Sequence, residues 1–241
     1  MKGVILAGGT GSRLGKLTSV LNKHLVAVGE VPMIEFPLAA LKKLGLEDIV
    51  VVTGAEHAGT VVQYLTKEHP EINFTYKVQK EAGGIAQALS LTENICRGHK
   101  LAVVLGDNIF EDTFLDAAKY FEKSDYGAML FIKEVPDPER FGVVEIKDNK
   151  IISIEEKPKT PKSNLVTTGL TLYDETVFEK IKRLKPSKRG EYEIEEVNVM
   201  YLNEGRAVFK KLEKFWSDAG THGSRKIAED YIYSKGIENF L

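Results

Sequence analysis

The chain has 241 residues, with 33 lysines and arginines against 35 acidic residues and a formal net charge of −2. That length suits one large α/β domain or two small ones around a sizeable core, and the charge balance gives no support to a nucleic-acid or membrane surface. A single cysteine, Cys96, excludes an intramolecular disulfide and fits a reducing compartment. No apolar run approaches the ~20 residues of a spanning helix, and Met1-Lys2-Gly3-Val4 lacks a secretory leader's apolar stretch, so a cytoplasmic setting is expected.

The first predicted element is a strand over residues 4–7, Val4-Ile5-Leu6-Ala7, apolar on both faces like a central parallel strand. It runs straight into Gly8-Gly9-Thr10-Gly11-Ser12-Arg13. Glycines let the backbone turn and bring its N–H groups close to phosphate oxygens, and an arginine adds a fixed fork of donors, so the arrangement suits a polyphosphate. It is not the dinucleotide fingerprint, because Leu14 stands where a third glycine is needed. Nor is it a P-loop, because Leu17 follows Gly15-Lys16 and the first glycine would fall on Thr10. A plain tight turn between strand and helix would use glycines as well.

Farther on, Asn22-Lys23-His24 offers Lys23 either to a phosphate or to solvent, and His24 reads as a packed or exposed histidine. Helical periodicity follows over 33–43, with Pro32 fitting its first turn and Gly45 its stop. Strands are expected over 49–53, 73–78, 101–105 and 127–132, and helices over 60–67, 85–95 and 114–123. This alternation argues for a mostly parallel sheet covered on both faces. Gln79 ends the third strand and Gly83-Gly84 precede the next helix. A glutamine amide matches a pyrimidine edge and a glycine lets a base lie flat, although a strand-to-helix turn explains the glycines too.

Past residue 134 the pattern changes. A hairpin over 141–146 and 151–155 turns at Asp148-Asn149, and a strand over 166–173 follows. Then come helices over 175–183 and 192–203, a strand over 207–212 and an amphipathic helix over 224–234. With no linker and no internal repeat, one domain over 1–241 is expected, its second half building a smaller β-rich substrate lobe. Ligands of such sheets sit outside the carboxyl ends of the strands, where the chemistry should lie.

Leu101-Ala102-Val103-Val104-Leu105-Gly106-Asp107-Asn108 delivers a carboxylate at a strand end, suited to Mg²⁺, or to capping a helix near Glu111. Asp218 in Trp216-Ser217-Asp218-Ala219-Gly220-Thr221-His222 is its late counterpart, or a turn, with Thr221 a possible cap. Glu155-Glu156-Lys157-Pro158 ends a strand with a carboxylate beside an ammonium, for a phosphate or for solvent. There is no Gly-x-Ser-x-Gly, no His-Glu-x-x-His and no paired-cysteine site. Phosphoryl and nucleotidyl transfer need little of this, since positioning and charge neutralisation dominate them.

These segments, with Pro32-Met33-Ile34-Glu35-Phe36-Pro37-Leu38, Gly84-Ile85-Ala86-Gln87-Ala88, Phe141-Gly142-Val143-Val144 and Gly190-Glu191-Tyr192-Glu193-Ile194, occur in an order that resembles the sugar-phosphate nucleotidylyltransferases. The likeness covers nearly the whole chain and is greatest to members acting on dTTP and glucose 1-phosphate. It implies a Rossmann-like, mostly parallel mixed sheet flanked by helices, with residues 1–133 taking the nucleotide and 134–241 the sugar phosphate. It implies transfer of a nucleotidyl group from dTTP, or alternatively UTP, to a sugar 1-phosphate, with Mg²⁺ as cofactor, in nucleotide-sugar supply such as the dTDP-rhamnose pathway. A non-catalytic nucleotide-sensing relative is the alternative of another class.

The implied roles are residue by residue. Leu6, Gly8, Gly9, Thr10, Gly11, Ser12 and Arg13 would hold the nucleotide, with Arg13, Lys23 and Lys157 acting on the phosphates. Gln79 and Gly84 would meet the base, and Asp107 and Asp218 the metal. Asn108, Gly142, Glu156, Lys157, Thr168 and Arg189 would line the sugar-phosphate site. Ser12 stands where threonine is usual, Val26-Ala27 where a proline is usual, and Gly15-Lys16 where a bulky residue and proline are usual. The chain resembles a short form without the C-terminal helices of the long members, which help form their tetramer and feedback site, so feedback regulation and the oligomeric state, a homo-oligomer included, are left open.

Overall fold

The computed structural model describes residues 1–241 apart from Thr10, Val20 and the side chains of Ser12, Leu17 and Ser19. In chain order the elements are β1 (Lys2–Ala7), β2 (Ala27–Val28), β3 (Val31–Pro32), α1 (Glu35–Lys42), β4 (Asp48–Gly54), α2 (Ala58–Glu68), β5 (Asn73–Gln79), α3 (Ile85–Ser90) and α4 (Glu93–Cys96). Then come β6 (Leu101–Leu105), β7 (Asn108–Phe110), α5 (Leu115–Lys123), β8 (Ala128–Glu134), β9 (Gly142–Lys147), β10 (Lys150–Glu156) and β11 (Leu165–Tyr173). The chain continues through α6 (Val177–Ile181), α7 (Ile194–Asn203), β12 (Ala207–Lys211), β13 (Trp216–Asp218) and α8 (His222–Lys235).

A nine-stranded sheet runs β10-β9-β11-β6-β1-β4-β5, with β8 paired to β11 and β12 paired to β8. β1 lies between β4 and β6, parallel to both, and β5 extends this parallel region. Ile5 and Ala7 pack into one apolar cluster while Val4 and Leu6 pack into the cluster on the opposite face. A strand buried on both sides must be apolar throughout, which is why residues 4–7 and 101–105 show no alternation. β11 pairs antiparallel with β6 and with β9, so the second half joins the same sheet.

Two details position the site. The β11–β8 register shifts between Thr167 and Thr171, where β11 leaves β8's ladder and Leu170 faces Val104 of β6. Such a bulge re-aims side chains, and here it turns Thr168 and Gly169 toward a cavity. Separately, β7 and β13 form a small antiparallel ribbon with Asn108 opposite Asp218.

Three local expectations are corrected. Pro32 does not open a helix: it sits opposite Ala27 in the β2–β3 hairpin, and α1 begins at Glu35. The helix expected over 85–95 breaks into α3 and α4, with the Thr92 hydroxyl donating back to Leu89 O at 2.8 Å. Asp107 caps no helix, because β7 follows it and α5 starts at Leu115. The Asp148-Asn149 turn is as expected, with φ of 49° and 56°, the left-handed pair of a type I′ hairpin. Among the described residues no helix is long and apolar enough to cross a membrane.

Candidate active site

The carboxyl ends of β1, β5 and β6 frame two adjoining cavities. The larger, about 190 Å³, is lined by Arg13, Asp107, Asn108, Arg140, Gly142, Glu156, Lys157, Thr168, Glu195 and Asp218 among others. The smaller, about 150 Å³, is lined by Gly8, Gly9, Asn22, Lys23 and Gln79 among others. Lys23 and Asp107 meet at the wall between them, Nζ donating to Oδ2 at 2.5 Å.

Lys23 is therefore no solvent-facing lysine; it is 7% exposed. Its backbone belongs to a short 3₁₀ turn, Lys23–Leu25, capped by Asn22, whose Oδ1 accepts from the His24 backbone N–H at 2.8 Å. The His24 ring is packed beneath, and burial, then Lys23's charge, lowers its pKa to about 3, so it is neutral at ordinary pH. Burial alone would raise the Asp107 carboxyl; Lys23 overrides it and holds Asp107 well below the usual carboxylate range.

Asp218 reaches the same place from the far end of the chain. The β7–β13 ribbon sets Asp218 opposite Asn108, and Ala219 N–H donates to Asp107 O at 2.8 Å. Arg140 donates from Nη2 to both Asp218 oxygens, at 3.0 and 2.9 Å, and from Nη1 to Asp137 at 2.6 Å. Its guanidinium lies 4.8 Å from the Phe141 ring centre. Burial, then the charge of Asp107, pushes Asp218 above its ordinary value against the pull of Arg140 and Arg13. Two hard carboxylates, one raising the other's cost of ionisation, suit a divalent cation whose shell phosphates complete. The backbone agrees: a Cβ on Gly220 would fall 2.9 Å from Asp107 Oδ2 and 3.6 Å from both Arg13 Nη2 and Lys23 Nζ. That space, among two cations and a carboxylate, is left open by glycine. Among the described residues no group of three His, Cys, Asp or Glu could hold a metal, so a cation here would rely on its substrate for further ligands.

In the smaller cavity, Gln79 is buried, its amide donating to Gln87 Oε1 at 2.6 Å and to Gly84 O at 3.4 Å. A Cβ at Gly8 would collide with that amide. Gly84 holds φ at 97° as it opens α3, a conformation that favours glycine. Gly11 lies against Thr18, whose hydroxyl donates to Gly11 O at 2.9 Å. Leu6 stands apart: its side chain is buried in the core beneath the loop. Thr10 and the Ser12 side chain lie outside the described residues.

The far wall of the larger cavity comes from the second half. Lys157 follows β10 with φ at 45°, a left-handed backbone that a side chain adopts only under constraint; its N–H donates to Phe141 O at 2.9 Å. Its ammonium is 2.9 Å from Glu156 Oε1, which also pairs with Arg189 at 3.1 Å. Arg189 is not on the lining; Glu156, Glu191 and Glu193 hold it beside the cavity. Asn108 ties the walls together, its Oδ1 accepting from Gly169 N–H at 3.0 Å and from Trp216 Nε1 at 2.7 Å. Thr168 is buried, with no hydrogen-bond partner for Oγ1.

Three lining groups carried no signal in the sequence. Arg140 ends a single 3₁₀ turn, Pro138–Arg140, too short for any periodicity to mark it. Thr167 and Glu195 meet inside the cavity wall, Oγ1 donating to Oε1 at 2.6 Å. A carboxylate two residues into a helix reads as a dipole partner in solvent, and only tertiary packing buries this one.

A nucleotidyl transferase family model matches residues 2–232. Glucose-1-phosphate thymidylyltransferases of Neisseria meningitidis serogroup A and Mycobacterium tuberculosis are each 40% identical to this chain, over 99% and 96% of it and 85% and 82% of their own length. A crystal structure of a candidate glucose-1-phosphate thymidylyltransferase from Bacillus anthracis, solved with sucrose, superposes with a TM-score of 0.91 at 49% identity, covering 96% of this chain and 94% of that one. A UDP-glucose pyrophosphorylase bound to UDP-glucose shares the fold at 21% identity, with a TM-score of 0.85 over 97% of this chain and 98% of the other. The chain belongs to the nucleotidyl transferase family.

Proposed function

We propose that the chain transfers a thymidylyl group from dTTP to α-D-glucose 1-phosphate, giving dTDP-glucose and pyrophosphate. The observation that carries this reading is the meeting of Arg13, Lys23, Asp107 and Asp218 at the junction of two cavities. The thymidylyltransferases at 40% identity support the choice of substrates.

In this reading the smaller cavity takes the base against Gln79, and Gly8, Gly9 and Arg13 hold the triphosphate. Residues 134–241 supply most of the sugar-phosphate wall, with Gly142, Glu156 and Thr168 facing the sugar and Lys157 its phosphate. Arg189 meets that phosphate by exchanging its carboxylate partners for it. A phosphate oxygen of the sugar attacks the α-phosphorus, a new P–O bond forms in line with the breaking one, and pyrophosphate departs with the bonding electrons. The second pKa of a phosphate monoester is near ~6, so the attacking oxygen is already anionic and no general base is required. The protein's task is to bring two polyanions together. Lys23 and Arg13 neutralise the departing pyrophosphate, and Lys157 offsets the charge of the attacking group. Asp107 and Asp218 would hold Mg²⁺, which supplies a Lewis acid at the phosphate oxygens.

The reaction is assigned to the cytoplasm. Gln79 offers uracil the same donor and acceptor as thymine, so UTP is the second donor to test. A matrix of nucleoside triphosphates against sugar 1-phosphates, with and without Mg²⁺, is read by pyrophosphate release. Fastest release with dTTP and glucose 1-phosphate, dependent on Mg²⁺, is expected. No release with any pair would sink the enzymatic reading, and a UTP preference would replace the donor.

A further inference from the structure

We infer that Glu195 is a specificity-determining residue of the sugar cavity, accepting a hydrogen bond from a ring hydroxyl of the bound sugar 1-phosphate. The inference rests on the proposed transfer reaction for the identity of the ligand, and on the following geometry for the residue.

Glu195 lies on the first turn of α7 and lines the larger cavity, although it is 7% exposed. Both carboxyl oxygens are held. Thr167 Oγ1 donates to Oε1 at 2.6 Å, and Asn198 Nδ2 donates to Oε2 at 2.7 Å. Asn198 is fixed in turn by the Tyr173 hydroxyl, which donates to its Oδ1 at 2.7 Å. A carboxylate accepts at about four positions, so these contacts orient the group and leave acceptor capacity unused. Gly142 packs against this pair without a side chain: a Cβ there would stand 2.6 Å from Glu195 Oε1 and 2.7 Å from Thr167 Oγ1. Thr168 Oγ1, on the same wall, is buried and unpartnered. A group presenting several hydroxyls satisfies both; an apolar group satisfies neither.

The electrostatic setting separates this carboxyl from a structural ion pair. Among the described residues no cation lies within salt-bridge distance of it, and the charged groups acting on it are Glu156 and Glu193, of like sign. Lys157 and Arg189 are both engaged by Glu156. An isolated buried carboxyl destabilises a protein, and a methyl-bearing or amide side chain would fill the space at lower cost. Its cost is understandable if the missing partner is a ligand.

The test compares wild type with Glu195→Gln and Glu195→Ala in pyrophosphate release, using glucose 1-phosphate and its 2-, 3-, 4- and 6-deoxy analogues. Removing an acceptor that meets a hydroxyl should raise the sugar-phosphate KM in Glu195→Ala by roughly 10- to 100-fold, the range for a charged hydrogen bond, and leave the dTTP KM within twofold. One deoxy analogue should be penalised in wild type and not in Glu195→Ala, which identifies the hydroxyl. Thr167→Val, which removes only the orienting donor, should show a smaller rise and covers the case in which Glu195→Ala does not fold. Folded variants with an unchanged sugar-phosphate KM and unaltered deoxy penalties would overturn the assignment. If wild type releases no pyrophosphate, the transfer reading has failed by itself. Calorimetric titration with glucose 1-phosphate then decides on Glu195: weaker binding in the variants supports it and equal binding overturns it.

Discussion

At the end of the main cavity nearest the glycine loop, each partly buried carboxylate faces a cation, Lys23 on Asp107 and Arg140 on Asp218. At the opposite wall Glu195 has a hydroxyl and an amide for partners, and its charged neighbours are carboxylates. Lys23 keeps Asp107 ionised far into acid, while burial, with no cation to offset it and with Glu156 and Glu193 of like charge, lifts Glu195 to about 7. The first arrangement handles strongly charged ligands by exchanging one ionic partner for another. The second suits a neutral, hydroxyl-rich ligand that needs an acceptor rather than a counter-ion. Charge compensation thus divides the cavity according to what each end would bind.

The strongest way to break this comparison is Asp107→Asn. If Asp107 serves as an anion, turnover should fall by about 10³ or more, in line with losing a principal electrostatic element of a phosphoryl-transfer site. Calorimetry should still show a cooperative transition, and near-normal pyrophosphate release would remove Asp107 from the chemistry. Next in size is a stability effect at Glu195. Its carboxyl is lifted from 4.5 to about 7 by folding, so the native state binds the proton more tightly than the unfolded chain. Stability therefore falls as pH rises from about 4.5 to about 7 and levels off above, at a cost of about 3 kcal/mol. Glu195→Gln should be more stable than wild type by on the order of that amount at pH 8 in denaturant titrations. The gap should close as pH drops to about 4.5, and a pH-independent gap would contradict the uncompensated state.

Arg140→Lys keeps the charge and loses the fork whose Nη2 holds both Asp218 oxygens while Nη1 is anchored on Asp137. Turnover should drop by about tenfold, the worth of one charge-assisted hydrogen bond, and unchanged kinetics would show that Asp218 needs no such orientation. The smallest effect sharpens the contrast from outside the site. Lys226 and Asp230 pair at 3.0 Å on α8 with both side chains largely exposed. Lys226→Ala should leave the thermal unfolding midpoint unchanged, and a clear drop would show that an exposed pair can matter as much as a buried one.

Much of this was legible in the sequence, for identifiable reasons. β1 and β6 are read easily because strands buried on both faces admit only apolar residues, and the loop after β1 because glycine and arginine cluster where a sheet presents its carboxyl ends. Asp107 and Asp218 were each ambiguous as isolated carboxylates, and tertiary pairing through β7 and β13 joins them. Strands of three residues are too short to show a period, so that ribbon could not be foreseen. Pro32 misled because a rule for helix starts was outweighed by a two-residue hairpin. Glu195 was invisible because Glu195-Glu196 resembles an ordinary acidic helix start, and it is tertiary packing that sets it against Thr167 of β11 and Gly142 of β9.

The β7–β13 ribbon has a further consequence, in the order of events at the ribosome. Lys23 and Asp107 are both emitted within the first half of the chain, and their ion pair needs nothing later. Asp218 arrives 111 residues after Asp107, which at ~5–20 residues per second is a delay of several seconds. Until Trp216, Ser217 and Asp218 dock against Phe110, Ile109 and Asn108, the nascent chain carries one half of the paired-carboxylate site. During that interval Lys23 is the cation at hand for Asp107, so a contact poised for chemistry in the finished protein is available in the unfinished one as well.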